Sequence, residues 1–302
     1  MDAVIYAAGR ALRLGARSVE CPKILLEFGG LTLLERHVRL LAKNGISRVF
    51  VVTGHRRERI AETLPEISRR AGIPVIEVFN PAFTEGSVLS VHISIPWLRA
   101  SRGTVLVMDG DVLYDQRMLE RLLESKDRSA LLLDRTYSTD DDDPVLVPVR
   151  SGRPFEFRKG WRGQADLVGE SIGFFKMHPE ELEALIQDTC ARAEGSGRGV
   201  SYDEAIRTLV KADRLGYVDV TGLPWTEVDF ETDIDYGRDT ILPQLLKLPA
   251  ARCNVAPRIS GSWNSTATVP TVPAPVPAPA VAAAAAAAKR RSRAAAIPRK
   301  GR

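Results

Sequence analysis

The chain has 302 residues, of which 44% are hydrophobic and 26% are charged. A chain of this length can bury a substantial core, and its composition is typical of a soluble globular protein and excludes a wholly disordered or fibrous one. Its formal net charge of +4 at pH 7 is unevenly distributed, because residues 249–302 carry nine Lys or Arg and no Asp or Glu. Residues 1–248 therefore hold 33 of the 42 basic residues and all 38 acidic residues, so the basic balance belongs to the C-terminal stretch.

Neither targeting segments nor disulfides are expected. No apolar run approaches the roughly 20 residues that span a bilayer, and the Met1 end is predicted to be a core strand without a signal-peptide pattern, so we expect a cytoplasmic protein. Cys21, Cys190 and Cys253 are odd in number and widely spaced, which indicates reduced thiols. The four histidines show no metal-ligand spacing and are predicted to be ordinary surface or core residues.

The first predicted strand leads into a basic loop. Residues 3–7 form an apolar run of the length of a buried parallel strand, and the run ends at Ala8-Gly9-Arg10. Small residues at such a turn let backbone N–H groups approach a ligand closely. A second apolar run follows at residues 24–26. The basic side chains that precede this run are Arg10, Arg13, Arg17 and Lys23. Backbone donors and cations on one loop suit a polyphosphate, whose charge is spread over many oxygens. A solvated basic loop is the alternative.

Alternating periodicities follow this loop. A helical period covers residues 31–43 and ends at Asn44-Gly45, and residues 46–52 form the next predicted strand. A polar helix through Ile60 and Leu64 then leads to a third strand at residues 75–79. This β-α-β-α-β order predicts a parallel sheet with right-handed crossovers and a ligand site at the carboxyl ends of its strands.

The order of strand, small-residue turn, Arg and Pro-Lys resembles that of the nucleotidyltransferases that activate sugar phosphates and phospho-alcohols. The matching residues are Ala7-Ala8-Gly9, Arg13 and Pro22-Lys23, and Ala11 stands where the family usually has its second glycine. The resemblance implies an α/β, Rossmann-like three-layer fold similar to glycosyltransferase-A, with a mostly parallel sheet and a small lid insertion. It implies that Arg13 holds the phosphates of a nucleoside triphosphate and that Lys23 bridges the incoming and the attacked phosphate. The residues that it places against the nucleotide are Ala7, Ala8, Gly9 and Arg10.

Small polar residues follow the third strand and open a short predicted helix that contains Val91 and Ile95. A helix start of this kind can bind an anion or the polar edge of a base. The resembling family contacts its nucleotide with this segment, which implies such contacts for Asn80, Ser87 and Ser90. For Ser90 alone, a capped helix without a ligand is the alternative.

A second candidate site is Asp109-Gly110-Asp111, directly after the predicted strand at residues 105–108. Carboxylates at this end of a strand face the place where a triphosphate would lie, and oxygen ligands suit Mg²⁺. The alternative is an acidic turn that caps the helix predicted at residues 115–125. Aligned with the family's Gly-Asp step, Asp111 is implied to be a metal ligand and Asp109 a supporting residue near the nucleotide.

The middle of the chain is predicted to continue the sheet at residues 129–133 and then to form a lid-like insertion at about residues 134–170. Short strands are predicted there at residues 145–149 and 155–157, and residues 140–143, four adjacent aspartates, are predicted to form a solvated loop tip, with calcium binding as the alternative. The insertion also carries Lys159 and Trp161. Residues 171–175 return to the core after Glu170.

Two helices and the last strand are predicted next, at residues 179–193, 202–211 and 216–220, and a flexible glycine-rich linker, residues 195–199, separates the helices. Residues 225–229 then resemble the Trp-x-Glu-Ile-Asp ending of bacterial phosphocholine cytidylyltransferases. That resemblance implies that Asp229 is the other metal ligand and that Glu227 assists the metal or faces the substrate. A closing helix is predicted from about Asp233.

The predicted domain therefore spans residues 1–248, and residues 249–302 form a Pro/Ala-rich, basic tail that we expect to be disordered and dispensable for chemistry. Contact of this tail with nucleic acid or with an anionic membrane is the less favoured alternative to a solubilising extension.

The resemblance implies a Mg²⁺-dependent transfer from CTP to a phosphocholine-like phospho-alcohol or a phosphonate. An aromatic and acidic pocket could hold an ammonium group of the acceptor over a ring face. The residues considered for substrate binding are Lys159, Trp161, Glu170, Tyr202, Asp203, Glu204, Trp225 and Glu227. Three alternatives remain open: a sugar-1-phosphate nucleotidyltransferase, a metal-dependent glycosyltransferase with an Asp-x-Asp site, and a non-catalytic nucleotide-binding protein. Arg13 and Lys23 argue against the glycosyltransferase, which lacks such a loop.

Overall fold

Strand β1 (Asp2–Ala7) lies at the centre of the sheet. Successive side chains of a strand point to opposite faces of the sheet. Ala3 and Ile5 therefore pack in the core on one face, and Val4 and Tyr6 pack in the core on the other. The computed structural model describes residues 1–14, 21–137 and 144–247, which belong to one compact unit, Met1–Ala250. Arg17, the aspartates at 140–143, Cys253 and the predicted tail lie outside the described residues, so the interpretations given to them stay predictions.

The parallel half of the sheet surrounds β1. Strand β4 (Arg48–Thr53) pairs with one edge of β1 and β6 (Val105–Asp109) with the other, and β5 (Val75–Phe79) lies beyond β4. The register places Ala7 beside Thr53 and Tyr6 beside Asp109, so these strands end at the same edge. The predicted β-α-β-α-β order is confirmed.

The other half is largely antiparallel. Strand β12 (Leu167–Met177) pairs antiparallel with β6, with β8 (Ala130–Asp134) and, through its first residues, with β9 (Val145–Arg150). Strand β13 (Gly216–Asp219) extends β8 in parallel, and β10 (Arg153–Pro154) and β11 (Arg158–Lys159) pair with β9. The parallel and antiparallel halves together form a mixed ten-stranded sheet within the described residues.

Helices cover both faces of the sheet, which gives the predicted three-layer α/β fold. Polar side chains define two of the helix starts, because Thr32 accepts a hydrogen bond from the N–H of Glu35 and Asp115 accepts one from that of Arg117. The helices are α1 (Leu33–Lys43), α2 (Arg57–Ala71), α3 (Val88–Ala100), α4 (Gln116–Glu124), α5 (Pro179–Glu194), α6 (Asp203–Lys211), α7 (Glu231–Tyr236) and α8 (Leu242–Lys247), with a π-helical turn, Gly237–Ile241, between the last two. None of the helices within the described ranges has the length and apolar character required to cross a bilayer.

Two small ribbons stand outside the main sheet. Strands β2 (Glu27–Phe28) and β3 (Leu31–Thr32) form one of them. The other pairs β7 (Val112–Tyr114) with β14 (Trp225–Glu227), in antiparallel register. This second ribbon continues with a hydrogen bond from the N–H of Val228 to the carbonyl of Asp111, 2.9 Å long. It therefore brings the segment after β14 to the end of β6.

Three local predictions were wrong. No strand forms at residues 155–157, because the chain turns there to bury Phe157, and the short strands β10 and β11 flank that turn. The glycine-rich segment is no flexible linker, since its 3-10 turn, Ser196–Gly199, packs on Gly86, whose N–H donates to the carbonyl of Arg198 at 3.0 Å. Strand β13 is not the last strand, because β14 follows it.

Candidate active site

Three charged side chains from distant parts of the chain meet at the carboxyl edge of the parallel strands. Lys23 begins a 3-10 turn, Asp111 stands between β6 and β7, and Asp229 follows β14. The Nζ of Lys23 lies 3.1 Å from Oδ2 of Asp111 and also contacts Oδ1 of Asp229. Arg13 completes the group, with a terminal guanidinium nitrogen 3.2 Å from Oδ2 of Asp229. The structure thus brings together the four residues that were predicted for catalysis and metal binding, and their roles stay predictions.

The electrostatics of this cluster favour a cation between the carboxylates. Burial opposes the charge of Lys23, but Asp111 and Asp229 outweigh it and raise the pKa of the ammonium above its usual range. Removal of water and the charges of Asp111 and Asp229 raise the pKa of Glu227 to about 9, since Lys23 only partly compensates the crowded carboxylates.

The same carboxylates fit a metal ion. Oxygen atoms of Asp111, Glu227 and Asp229 lie within 4.8 Å of one another, and oxygen ligands are the ones that Mg²⁺ prefers. Lys23 already holds a positive charge against two of them. A second such group in the described part of the chain, at His178, Glu180 and Glu181, is already bonded by Arg128 and Arg214.

Asp109 and Asp111 face different surroundings although one residue separates them. The hydroxyl of Tyr202 donates to the carboxylate of Asp109, with its oxygen 2.7 and 2.8 Å from the two carboxylate oxygens. Burial and the nearby Asp111 raise the pKa of Asp109 well above its usual range. Gly173 makes room for this carboxylate, because it has φ +77° and a Cβ there would lie 2.1 Å from Oδ2 of Asp109. Asp109 is therefore held by Tyr202, whereas Asp111 is in contact with Lys23.

The turn between these aspartates is supported by His37 of α1, which was predicted to be an ordinary residue. The Nε2 atom of this buried ring lies 3.2 Å from the carbonyl oxygen of Gly110. Burial lowers the pKa of His37 to about 4, so the neutral ring donates this hydrogen bond at neutral pH. A lone histidine on an apolar helix face carries no sequence signal for such a role.

Three cavities adjoin the cluster. The basic cavity, of about 340 Å³, is lined by Arg10, Arg13, Lys23, Phe83 and Asp229, among others. A small cavity of about 90 Å³ lies against Ala7, Gly9, Lys23 and Asp111. The acidic cavity, of about 300 Å³, has seven acidic or basic lining residues, of which only one is basic: Asp109, Lys159, Glu170, Asp203, Glu227, Asp229 and Asp233. Because Asp229 lines both the basic and the acidic cavity, these two meet at the cluster.

The opening loop packs closely on the loop after β4, and the approach of a ligand to its backbone stays a prediction. The carbonyl of Ala8 accepts a hydrogen bond from the N–H of His55, and a Cβ on Gly54 would lie 2.6 Å from that carbonyl. Ala11 adopts φ +53°, the left-handed region in which glycine is more comfortable. The chain thus keeps the backbone shape that the family's second glycine would favour.

The predicted nucleotide-binding side chains of the 80–90 segment form hydrogen bonds within the segment and to the start of α6. Asn80 donates to the hydroxyl of Ser90 at 3.1 Å and accepts from the N–H of Ala82 at 2.9 Å. The hydroxyl of Ser87 accepts a hydrogen bond from the N–H of Tyr202 at 3.0 Å. Contacts of Asn80, Ser87 and Ser90 with a nucleotide stay predictions.

The residues predicted for substrate binding lie in more than one place, and their roles stay predictions. Glu170, Trp225 and Glu227 line a further cavity of about 640 Å³. Trp161 packs edge-on against Phe155, Trp225 donates its indole N–H to Asp134 at 2.7 Å, and the carboxylate of Glu204 lies 3.5 Å from Arg207. None of these three residues is among the described residues that line the acidic cavity, whereas Lys159, Glu170, Tyr202, Asp203 and Glu227 are. The aromatic rings in this cavity are those of Phe157, Phe175, Tyr202 and Phe230.

A mixed sheet with a phosphate-type loop at its parallel edge, next to a Lys–Asp–Asp cluster, is the arrangement of a nucleotidyltransferase. Residues 3–199 match the family described as the MobA-like NTP transferase domain, and the chain belongs to this family. The predicted family is therefore confirmed.

The chain is similar in sequence to two curated proteins. It is 30% identical over 247 residues to a "Bifunctional IPC transferase and DIPP synthase" of Rubrobacter xylanophilus, an alignment that covers 80% of this chain and 52% of that protein. It is 29% identical to a "CMP-5'-(3-aminopropyl)phosphonate synthase" of Streptomyces rubellomurinus, over 75% of this chain and 36% of that protein. The chain thus spans about half the length, or less, of these curated relatives.

The inositol-1-phosphate CTP transferase of T. maritima has a similar structure, with a TM-score of 0.66 and 20% sequence identity. The superposition covers 82% of this chain and 97% of that one. This likeness concerns the fold, and it confirms the predicted fold class.

Proposed function

We propose that the chain transfers a cytidylyl group from CTP to a phosphorylated alcohol or a phosphonate and releases pyrophosphate. The observation that carries the proposal is the contact of Lys23 with Asp111 and Asp229 at the place where the basic and acidic cavities meet. The choice of CTP and of the acceptor class is supported by the names of the similar proteins, a CMP-phosphonate synthase and a CTP transferase among them.

In this reaction an oxygen of the acceptor's phosphate or phosphonate forms a bond to the α-phosphorus of CTP. The bond from that phosphorus to the oxygen bridging to the β-phosphate breaks, and pyrophosphate leaves with the electron pair. A phosphate monoester carries about 1.5 to 2 negative charges at neutral pH, so the attacking oxygen needs no general base. The protein must instead reduce the repulsion between two anions.

Arg13 and Lys23 serve this purpose. Both line the basic cavity and both contact Asp229, so their positive charges lie at the boundary between the two proposed substrates. Fixed cations at the place where charge develops stabilise the transition state without reorganising at the moment of reaction. Lys23 is the more buried of the two, since its side chain is 18% exposed against 46% for Arg13.

Asp111 and Asp229 are the proposed ligands of Mg²⁺, with Glu227 beside them. When bound, such an ion neutralises phosphate charge and polarises the phosphoryl oxygens. The rest of the coordination shell of Mg²⁺ is typically supplied by phosphate and water, which suits a site with few protein ligands.

The charge of the acidic cavity orients the acceptor. Its carboxylates, Glu170 and Asp233 among them, would repel a phosphate group, so the anionic end of the acceptor points to Lys23 and Arg13. The far end then needs hydrogen-bond donors, as a hydroxyl-bearing or amine-bearing group has. Both polyol phosphates and aminoalkyl phosphonates meet this requirement.

The test is the release of pyrophosphate by the full chain with Mg²⁺, each of the four nucleoside triphosphates and a panel of acceptors. The panel contains phosphocholine, phosphoethanolamine, 2-aminoethylphosphonate, inositol 1-phosphate, glycerol phosphate and sugar 1-phosphates. Release with CTP and a phospho-alcohol or phosphonate supports the proposal. Release with sugar 1-phosphates alone would assign the chain to the sugar-activating branch, and nucleotide binding without any release would favour a glycosyltransferase or a non-catalytic protein.

A further inference from the structure

An aromatic ring is exposed next to the charged cluster. Phe230 follows Asp229 directly and is 43% exposed, although a phenylalanine is more stable when buried. The guanidinium carbon of Arg13 lies 5.3 Å from the centre of this ring. That distance allows a cation–π interaction, in which the ring face attracts the positive charge.

The backbone that carries Phe230 is fixed. One carboxylate oxygen of Asp233 accepts hydrogen bonds from the N–H groups of Asp229 and Phe230, at 2.8 and 2.7 Å. The preceding residue, Val228, donates to the carbonyl of Asp111. The ring therefore starts from a turn that is anchored to the proposed metal-binding residues.

The side chain of Arg13 extends from a short turn towards this anchored segment. Arg13 lies on a single 3-10 turn, Leu12–Leu14, and its side chain is 46% exposed. A long side chain of this kind loses considerable conformational freedom when it is held in one position. Two contacts of its guanidinium come from the Asp229–Phe230 turn, one through a carboxylate and one through a ring.

The two contacts differ in what happens to them during the proposed reaction. Asp229 is a proposed ligand of Mg²⁺, so its charge is shared with the metal when the substrates are bound. The ring of Phe230 competes for neither metal nor phosphate. It lines the acidic cavity while Arg13 lines the basic cavity, so the pair stands at the boundary between the cavities.

We propose that Phe230 is a positioning residue that holds the guanidinium of Arg13 at the junction of the two cavities, where it meets the phosphates of the nucleotide. This inference rests on the proposed function for its effect on turnover, but the contact itself can be tested without turnover.

The experiment compares Phe230→Leu, which keeps apolar volume without a ring, with Phe230→Tyr, which keeps the ring. We expect Phe230→Leu to lower kcat/KM for CTP roughly two- to fivefold, the size of an exposed cation–π interaction. Phe230→Tyr is expected to retain more of this activity than Phe230→Leu. In an Arg13→Ala background, Phe230→Leu should cause no further loss, because the ring would then have no cation to position.

A second readout needs no activity. In the folded, metal-free protein, the Nε–Hε signal of Arg13 in a nitrogen–proton NMR spectrum is expected to move when the ring is removed by Phe230→Leu and to stay closer to its original position in Phe230→Tyr. An unchanged Arg13 signal in Phe230→Leu would overturn the proposal, as would an equal loss of activity with and without Arg13. If the unmodified chain released no pyrophosphate, the proposed function would fail while the NMR comparison still decided the contact.

Discussion

The Nζ of Lys23 lies 3.1 Å from Oδ2 of Asp111 and also contacts Asp229, so one ammonium group neutralises two proposed metal ligands. We expect Lys23→Met to lower kcat roughly a hundredfold or more, since it removes a fixed charge from the transition state. In the absence of nucleotide, the same variant is expected to bind Mn²⁺ more tightly than the unmodified chain, because no ammonium competes for the carboxylates.

Calorimetric titration with Mn²⁺ and pyrophosphate release measure these two effects. Lys126→Met serves as the matched control, since Lys126 is exposed and lines none of the cavities of the site within the described residues. Near-normal turnover in Lys23→Met, or weaker Mn²⁺ binding, would contradict the assigned role.

Asp109 and Asp111 have different partners, Tyr202 and Lys23, so their substitution is expected to have different effects. Asp111→Asn is expected to raise the Mg²⁺ concentration needed for half-maximal activity roughly tenfold or more, as loss of a proposed ligand would. Asp109→Asn is expected to raise KM for the acceptor and to leave the Mg²⁺ titration nearly unchanged, because Asp109 lines the acidic cavity and bonds Tyr202. Equal shifts of the metal titration in both variants would show that the two aspartates act together.

Buried His37 predicts a pH dependence of stability. Its pKa is lowered from 6.5 to about 4 in the folded chain, so the unfolded chain binds the proton first as the pH falls. The stability that the neutral ring contributes is therefore complete above about pH 6.5 and is lost between that pH and about pH 4, by about 3 kcal/mol in total. His37→Gln, which can still donate to Gly110, should show a correspondingly smaller loss.

Urea denaturation of both proteins between pH 7 and pH 4 measures this difference. His92→Gln, at a half-buried position of α3, controls for the general effect of removing a histidine. Parallel pH profiles for the unmodified chain and His37→Gln would refute the proposed origin of the acid sensitivity.

The docking of the 196–199 turn on Gly86 predicts a matched pair of glycine variants. A Cβ on Gly86 would lie 2.3 to 2.6 Å from backbone atoms of residues 198–200, which cannot easily move aside. Gly86→Ala is therefore expected to destabilise the chain by roughly 2 kcal/mol or more. Gly199→Ala, whose Cβ would meet no atom within 4 Å, should be tolerated. Thermal denaturation compares the two, and similar melting temperatures would mean that the turn is not held as described.

The sequence predicted the parallel half of the fold well, because buried runs and helical periods are local signals. The strand at residues 75–79 was predicted with its observed bounds, and the loop from Ala7 to Lys23 was recognised by residue order alone. Lys23, Asp111 and Asp229 were predicted to act together, and they are in contact.

The remainder depended on contacts between residues far apart in the chain. Tyr202 and Asp109 are 93 residues apart, so no local pattern indicates that this tyrosine holds that aspartate. The contact of Trp161 with Phe155 and the hydrogen bond from the indole N–H of Trp225 to Asp134 were not predicted either. The pairing of β7 with β14 likewise joins segments more than a hundred residues apart.

The most direct test of the account is phosphorus NMR of the full chain with CTP, Mg²⁺ and an acceptor labelled with ¹⁸O in its phosphate or phosphonate oxygens. If the acceptor attacks the α-phosphorus, one labelled oxygen must become the bridge between the two phosphorus atoms of the product, and the released pyrophosphate must stay unlabelled. Lys23→Met should form this product far more slowly. Label in the pyrophosphate, or hydrolysis of CTP without a bridged product, would contradict cytidylyl transfer at this site.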